Sequence, residues 1–339
     1  MIRSIPMILC IALCFSGCAA VGDFGNSLKY HIQGEHYLQK QDFKQGLDTF
    51  GKAVKIDRKN PEVNYYYGRF LLAENNTKKA LPYLKQATVL DPGKSEYHFW
   101  LGVAYGESRQ EILERKSYLK ALELDPKNIQ ALTYMGNNRL RAKKYREAMK
   151  YYRMVLDLQD SNPQALYNRS VCLRQLGRVP EEKRAWLHYL DAYPSGSFAR
   201  LAADRLNSLG DQTYRNHRLG LRTVTLSEIS FMPFSGKLYD AAYPSLDLVG
   251  ATVAKMEGGT LNIIVYQLNN SNLAKSRAMT IRDYMVKNFP ELNENNRLQI
   301  SWFGTAEKRV VLKKELLLKE SVQFFLTDLK NIENISRKK

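Results

Sequence analysis

Residues Leu101–Pro126 read LGVAYGESRQEILERKSYLKALELDP, and this stretch decides the fold. Gly102 has no side chain, so two helices can approach closely there. Tyr118, sixteen residues on, is large enough to fill the space that glycine opens. Ala121 leaves clearance for a following helix, and Pro126 ends the segment because it cannot continue a helix. The motif repeats in both directions. Gly34, Gly68, Gly102 and Gly136 are spaced by 34 residues, and Ser170 continues the series. Four glycines in five such positions would arise by chance about once in ten thousand, given a background near 7%. Further registers agree: Phe50, Leu84, Tyr118, Tyr152 and Trp186 lie 16 residues after the small positions, Ala53, Ala87 and Ala121 lie 19 after, and Pro92, Pro126 and Pro194 lie 24 after.

This pattern of Leu-Gly, a following Tyr, a later Ala and a terminal Pro resembles the tetratricopeptide repeat. The resemblance implies an α-solenoid of five helical hairpins over residues 28–209. Its last element is an amphipathic capping helix, Phe198-Ala199-Arg200-Leu201-Ala202-Ala203-Asp204-Arg205-Leu206. Copies four and five depart from the pattern. Arg139 stands where an apolar residue is expected, Asp160 replaces proline, and Ser170, Glu182 and Tyr189 occupy normally small positions. In such a stack the first helix of each hairpin lines a concave face. The second, fifth, ninth and twelfth positions of the repeat then nominate Tyr65, Arg69, Phe99, Val103, Asn137, Tyr167 and Arg174 as a partner-binding face. Aromatic and basic residues together suit an extended peptide with acidic or carboxylate features.

The chain begins MIRSIPMILCIALCFSGCAA. A basic Arg3, an apolar run from Ile5 to Phe15, and small Ser16-Gly17 have the anatomy of a secretory signal peptide over residues 1–17. Phe15-Ser16-Gly17-Cys18 resembles a bacterial lipobox, with Phe15 where leucine is usual. The resemblance implies cleavage before Cys18, a diacylglycerol on its thiol, and an anchor linker over 18–27. Each buried methylene contributes about 0.8 kcal/mol, so several acyl chains hold a protein on a membrane. Ala19 resembles the outer-membrane sorting pattern. The expected address is therefore the outer membrane, facing the periplasm. Of the four cysteines only Cys172 lies in the body of the chain, which rules out an internal disulfide framework.

The net charge is +17, with +6 of it in residues 211–339 and +11 before them. A basic chain favours anionic partners, but a periplasmic address makes nucleic acid an unsuitable one. Asp211–Arg222 is polar and basic and reads as a linker, spanning 210–222. From there strands and helices alternate. Thr223–Phe231, Leu261–Tyr266, Arg297–Phe303 and Ser321–Leu326 read as strands, and Asp240–Met256 and Leu273–Phe289 as helices. That order implies a small mixed sheet covered by helices, an α+β domain over 223–330 with a basic tail at 331–339.

Leu246-Asp247-x-Val249-Gly250, the strand LNIIVYQ, Leu273-Ala274-Lys275-Ser276-Arg277-Ala278 and Ile300-Ser301-Trp302-Phe303-Gly304 resemble, in order and spacing, a divergent OmpA-like domain. That family grips peptidoglycan. The resemblance places Arg277 at the family's ligand-binding arginine. The family's aspartate position falls near Leu268, where no carboxylate stands, and Asn269 and Asn270 are the neutral substitutes beside it. Metal-ligand spacing is missing among the five histidines, and no nucleophile elbow or phosphate-cradling loop occurs. The expectation is a chain without cofactor, metal or catalytic site. It would be a periplasmic scaffold holding a protein partner during assembly of a secretion or pilus machine or of the envelope. The alternative is a peptidoglycan tether with the repeats as spacer.

Overall fold

A computed structural model of the chain describes residues 25–327, apart from 257 and 312. The signal peptide, Cys18, most of the anchor linker and the basic tail lie outside the described residues. The chain divides into two compact units, with the boundary between Asp160 and Ser161.

The first unit is helical. A helix over 25–39 (α1) is followed by α2 (Phe43–Ile56), α3 (Pro61–Ala73), α4 (Thr77–Leu90), α5 (Ser95–Glu107), α6 (Glu111–Leu124), α7 (Ile129–Arg141) and α8 (Tyr145–Leu158). They form four hairpins in the 34-residue register. A Cβ placed on Gly102 would sit 2.5 Å from the Tyr118 ring, one on Gly136 2.6 Å from Tyr152, and one on Gly68 2.6 Å from Leu84. The small residue and its partner sixteen positions on are thus in direct contact, as the sequence spacing requires. The first copy differs, because Gly34 meets Tyr66 rather than Phe50. The second helices stop short of the prolines: α4 ends at Leu90 before Pro92, and α6 at Leu124 before Pro126.

Two further registers belong to the turns. Gln41, Asn75, Arg109, Lys143 and Gly177 all have positive φ, between 55° and 69°. Each ends the first helix of a hairpin in the left-handed conformation that closes a helix C-terminus. Asn60, Asn128 and Asn162 are N-caps, each accepting a backbone N–H from the first turn of the helix that follows, α3, α7 and the helix Pro163–Gln175.

The second unit opens with α9 (Pro163–Gln175), α10 (Val179–Ala192) and α11 (Ser197–Ser208). The capping helix falls where the sequence places it. Glu182, at a normally small position, is fully buried with its carboxylate held by Arg205 of α11 and by the Trp186 indole N–H. Cys172 is fully buried, and burial pushes its thiol up to about 12.

The expected linker is instead a strand. β1 (Tyr214–Leu219) pairs antiparallel with β2 (Arg222–Ser227) and packs on α11. Asn216 bonds the Arg200 carbonyl and Asp204, while the Tyr214 hydroxyl donates to Asp191 at 2.8 Å. Beyond it lies a three-stranded mixed sheet. β3 (Thr260–Gln267) is central, parallel to β4 (Leu298–Phe303) and antiparallel to β7 (Glu320–Thr327). Helices α12 (Tyr243–Ala254) and α13 (Ser271–Asn288) bury Leu246, Val249, Val253, Ala278, Ile281 and Met285 against Leu261, Ile263, Val265 and Phe324. A further hairpin, β5 (Glu307–Val311) with β6 (Lys314–Leu318), separates β4 from β7 and was not foreseen from sequence. Among the described residues no helix is long and apolar enough to cross a membrane.

Candidate functional site

In the first unit, the first helices of the hairpins carry a connected polar and aromatic network. The Arg69 guanidinium (α3) donates to the Tyr65 hydroxyl at 2.8 Å, and that hydroxyl donates to the Glu96 carboxylate on α5. Arg69 also lies 3.5 Å from both Glu35 on α1 and Glu96. Its guanidinium stacks 4.2 Å from the centroid of the Trp100 indole. Glu35 accepts from the Tyr66 hydroxyl at 2.8 Å, and His31 Nδ1 lies 3.0 Å from that same hydroxyl. Burial, then the adjacent carboxylates, pushes both phenols upward in pKa, with Arg69 opposing at Tyr65, so they act as neutral donors.

Several face residues named from sequence are placed otherwise. Tyr65 and Phe99 are 0% and 2% exposed, so they are packed rather than presented. The fifth repeat position is covered by the neighbouring hairpin, as the Tyr65–Tyr97 ring contact at 4.7 Å illustrates. Arg69 is half-buried and flanked by two carboxylates, so it offers no free cation for an acidic peptide. Val103 is half-buried against the cluster of Phe99, Tyr118 and Met135. Asn137 accepts a 2.7 Å bond from Tyr152. In the second unit, Tyr167 is half-buried among Trp186, Tyr189 and Phe198, and Arg174 is exposed.

Beside Arg69, the first helices of the first unit carry the carboxylates of Glu35, Glu62 and Glu96. The register was enough to find them, since Glu62 and Glu96 hold the second repeat position and Glu35 the ninth.

Arg277, named through the peptidoglycan resemblance, is 3% exposed. It donates to Glu320 at 2.6 Å and to the Ser235 carbonyl at 3.1 Å, with its guanidinium over Phe231. Asn270 is spent as the N-cap of α13, accepting from Leu273 N–H, and Asn269 adopts a positive φ of 59° in the turn before it. Arg277 is therefore brought to a partner within the chain, while the two asparagines shape a turn.

Models of the tetratricopeptide repeat match residues 37–99, 95–128 and 135–197. The helical region is built from tetratricopeptide repeats. The chain is 29% identical over 102 residues to anaphase-promoting complex subunit 3 of Schizosaccharomyces pombe, covering 30% of this chain and 15% of that protein. Over 165 residues it is 26% identical to protein O-mannosyl-transferase TMTC3 of Mus musculus, covering 44% and 18%. The chain thus spans less than a fifth of these curated relatives. Among solved structures, that of Pseudomonas aeruginosa pilF aligns with a TM-score of 0.51 at 18% identity, over 56% of this chain and 87% of that one. At that identity the likeness concerns the repeat fold alone.

Proposed function

We propose that the protein is a lipid-anchored scaffold of the outer membrane that holds a protein partner on the repeat face of its first unit. Its task would be assembly of a secretion or pilus machine or of the cell envelope. The observation that carries the reading is the Glu35–Tyr66 and Tyr65–Glu96–Arg69–Trp100 network. These side chains are held in place before any partner arrives, which lowers the ordering cost of binding. The lipobox-like Phe15-Ser16-Gly17-Cys18 supports the anchor. Peptidoglycan tethering gains no support from Arg277, because its cation is already neutralised by Glu320.

Affinity capture after crosslinking in cells tests the scaffold. Arg69→Ala with Trp100→Ala should remove a specific partner that the native chain retains, without loss of fold by circular dichroism. Retention of the same partner by the folded double variant would refute the assignment. Cys18→Ser should release the chain from the membrane fraction, and unchanged membrane retention would refute the anchor.

A further inference from the structure

The mixed sheet of the second unit has two edges, and the fold treats them differently. At β7 the edge is covered by side chains of β1. The Arg215 guanidinium donates to the Val322 carbonyl, and the Phe324 N–H donates to His217 Nδ1 at 3.4 Å. At β4 nothing comparable is found among the described residues. Its one ladder runs to β3, and no described strand pairs with its outer edge. The hairpin that follows leads away from that edge, because Glu307 at the start of β5 accepts from Gln323 of β7 and from Arg215 of β1.

A bare strand edge is a template for pairing, and proteins guard such edges with charged side chains, proline or a bulge. β4 reads Leu298-Gln299-Ile300-Ser301-Trp302-Phe303 and has no charge and no proline. Its ladder to β3 is unbroken from Leu298 to Phe303, so no bulge turns it aside. In a chain of which 25% is charged, β1, β2, β5, β6 and β7 each contain Arg, Lys or Glu. The other uncharged strand is β3, which is paired on both sides. Leu298, Ile300 and Trp302 are half-buried toward the helices, while Gln299, Ser301 and Phe303 are exposed on the opposite face. Phe303 is held ready there, 45% exposed and stacked on Tyr266 with ring centroids 5.4 Å apart.

Directly opposed residues of an antiparallel pair lie on the same face of a sheet. β4 meets that condition against itself. In a two-fold pairing centred on Ser301, Ile300 faces Trp302 of the second copy on the helix side, and Gln299 faces Phe303 of the second copy on the other. Each contact then occurs twice, as a self-complementary interface requires. The small Ser301 alone meets its own counterpart at the axis, and no like charges are brought together. We propose that β4 is an interface between two copies of this chain, paired edge to edge and antiparallel, so that their two mixed sheets continue as one. This self-association belongs to the second unit and is independent of the scaffold reading of the first.

Two differently tagged full-length copies, produced together in cells, test this. One should co-purify with the other as a discrete two-copy species. Ser301→Lys, at an exposed position on the strand, sets two ammonium groups against each other at the axis. It should cut co-purification by about tenfold while leaving the circular dichroism unchanged. Ser301→Cys should give a disulfide-linked dimer on mild oxidation, whereas Gln299→Cys, which faces Phe303 of the other copy, should not. The native chain is the background, since its Cys172 is buried. Absence of co-purification overturns the proposal, as does native-level co-purification by the folded Ser301→Lys variant. Crosslinking at Gln299→Cys equal to that at Ser301→Cys overturns it too, as do larger aggregates in place of a two-copy species. None of these outcomes touches partner capture through Arg69 and Trp100, which tests the scaffold separately.

Discussion

Arg205 on α11 grips the carboxylate of Glu182 on α10 through two N–H groups, Nε at 2.6 Å and Nη2 at 3.0 Å, while Glu182 is fully buried. Glu182 holds the repeat position occupied by Gly46, Ala80 and Ala148 in other copies, and Glu114 holds it in the third. Glu114 is likewise buried and bound by an arginine, Arg141, at 2.5 Å. A position built for a small side chain thus accepts a carboxylate wherever a guanidinium can reach it.

The two partners should respond unequally to deletion. Arg205→Ala strands a buried carboxylate, and breaking such a pair costs about 3–5 kcal/mol. Glu182→Ala restores the small residue and leaves an arginine whose side chain is already 25% exposed and free to turn to water. Chemical denaturation should show the arginine variant to be the less stable by more than about 1 kcal/mol. Equal losses would mean that the pair is not governed by burial of the carboxylate.

Gly102→Leu should overpack the third hairpin, because even a Cβ meets the Tyr118 ring at 2.5 Å. The expected loss is about 1–3 kcal/mol or more. Gly93→Ala is the control. Its Cβ would find only Asp91 Oδ1, at 3.5 Å, so the change should stay within about 0.5 kcal/mol. Thermal melts that rank the two alike would break the link between register and packing.

The His217 ring is buried where β1 meets the open edge of β7, its Nδ1 accepting the Phe324 N–H at 3.4 Å. Burial, then the charges of Arg215 and Arg309, lowers it from 6.5 to about 3. Between those values the unfolded chain takes up a proton that the folded chain refuses, so stability falls as pH drops below about 6.5, by at most about 1.4 kcal/mol per pH unit. Above that range His217 adds no pH dependence. The same surroundings include Glu307, paired with Arg215 at 3.0 Å. Denaturation of His217→Gln between pH 7 and pH 4.5 should show a shallower decline than the native chain. Parallel declines would mean that the imidazole is not held neutral.

The parts of the fold that sequence revealed are those in which one residue type answers one steric demand. Gly102 with Tyr118 and Pro126 after α6 could be read at once, because a close approach or a missing N–H leaves little choice of residue. β1 was concealed by its own composition. Arg215 and His217 look like a solvated linker until Glu307 and the β7 backbone, 92 and 107 residues away, bury and satisfy them. The β5–β6 hairpin, rich in lysine and glutamate, was masked in the same way. At the candidate face the register assigned residues to the first helices of the hairpins but not which of those positions stay open. Tyr65 and Phe99 close against neighbouring hairpins, and Glu35, Glu62 and Glu96 supply the acidic charge beside Arg69. Arg277 shows the converse limit, since a matching motif fixed its place on α13 while Glu320, absent from the motif, fixed its state.

The central claim is that the repeat face of the first unit holds the partner. A photo-reactive amino acid placed at Glu35 or Gln130, on first helices of the repeats, tests it most directly against the same probe at Ile56 or Val89, which are exposed on second helices. A discrete crosslinked partner should form in cells from the first pair, abolished by Arg69→Ala with Trp100→Ala, and none from the second pair. Crosslinks of equal strength from both pairs, or from Ile56 and Val89 alone, would contradict it.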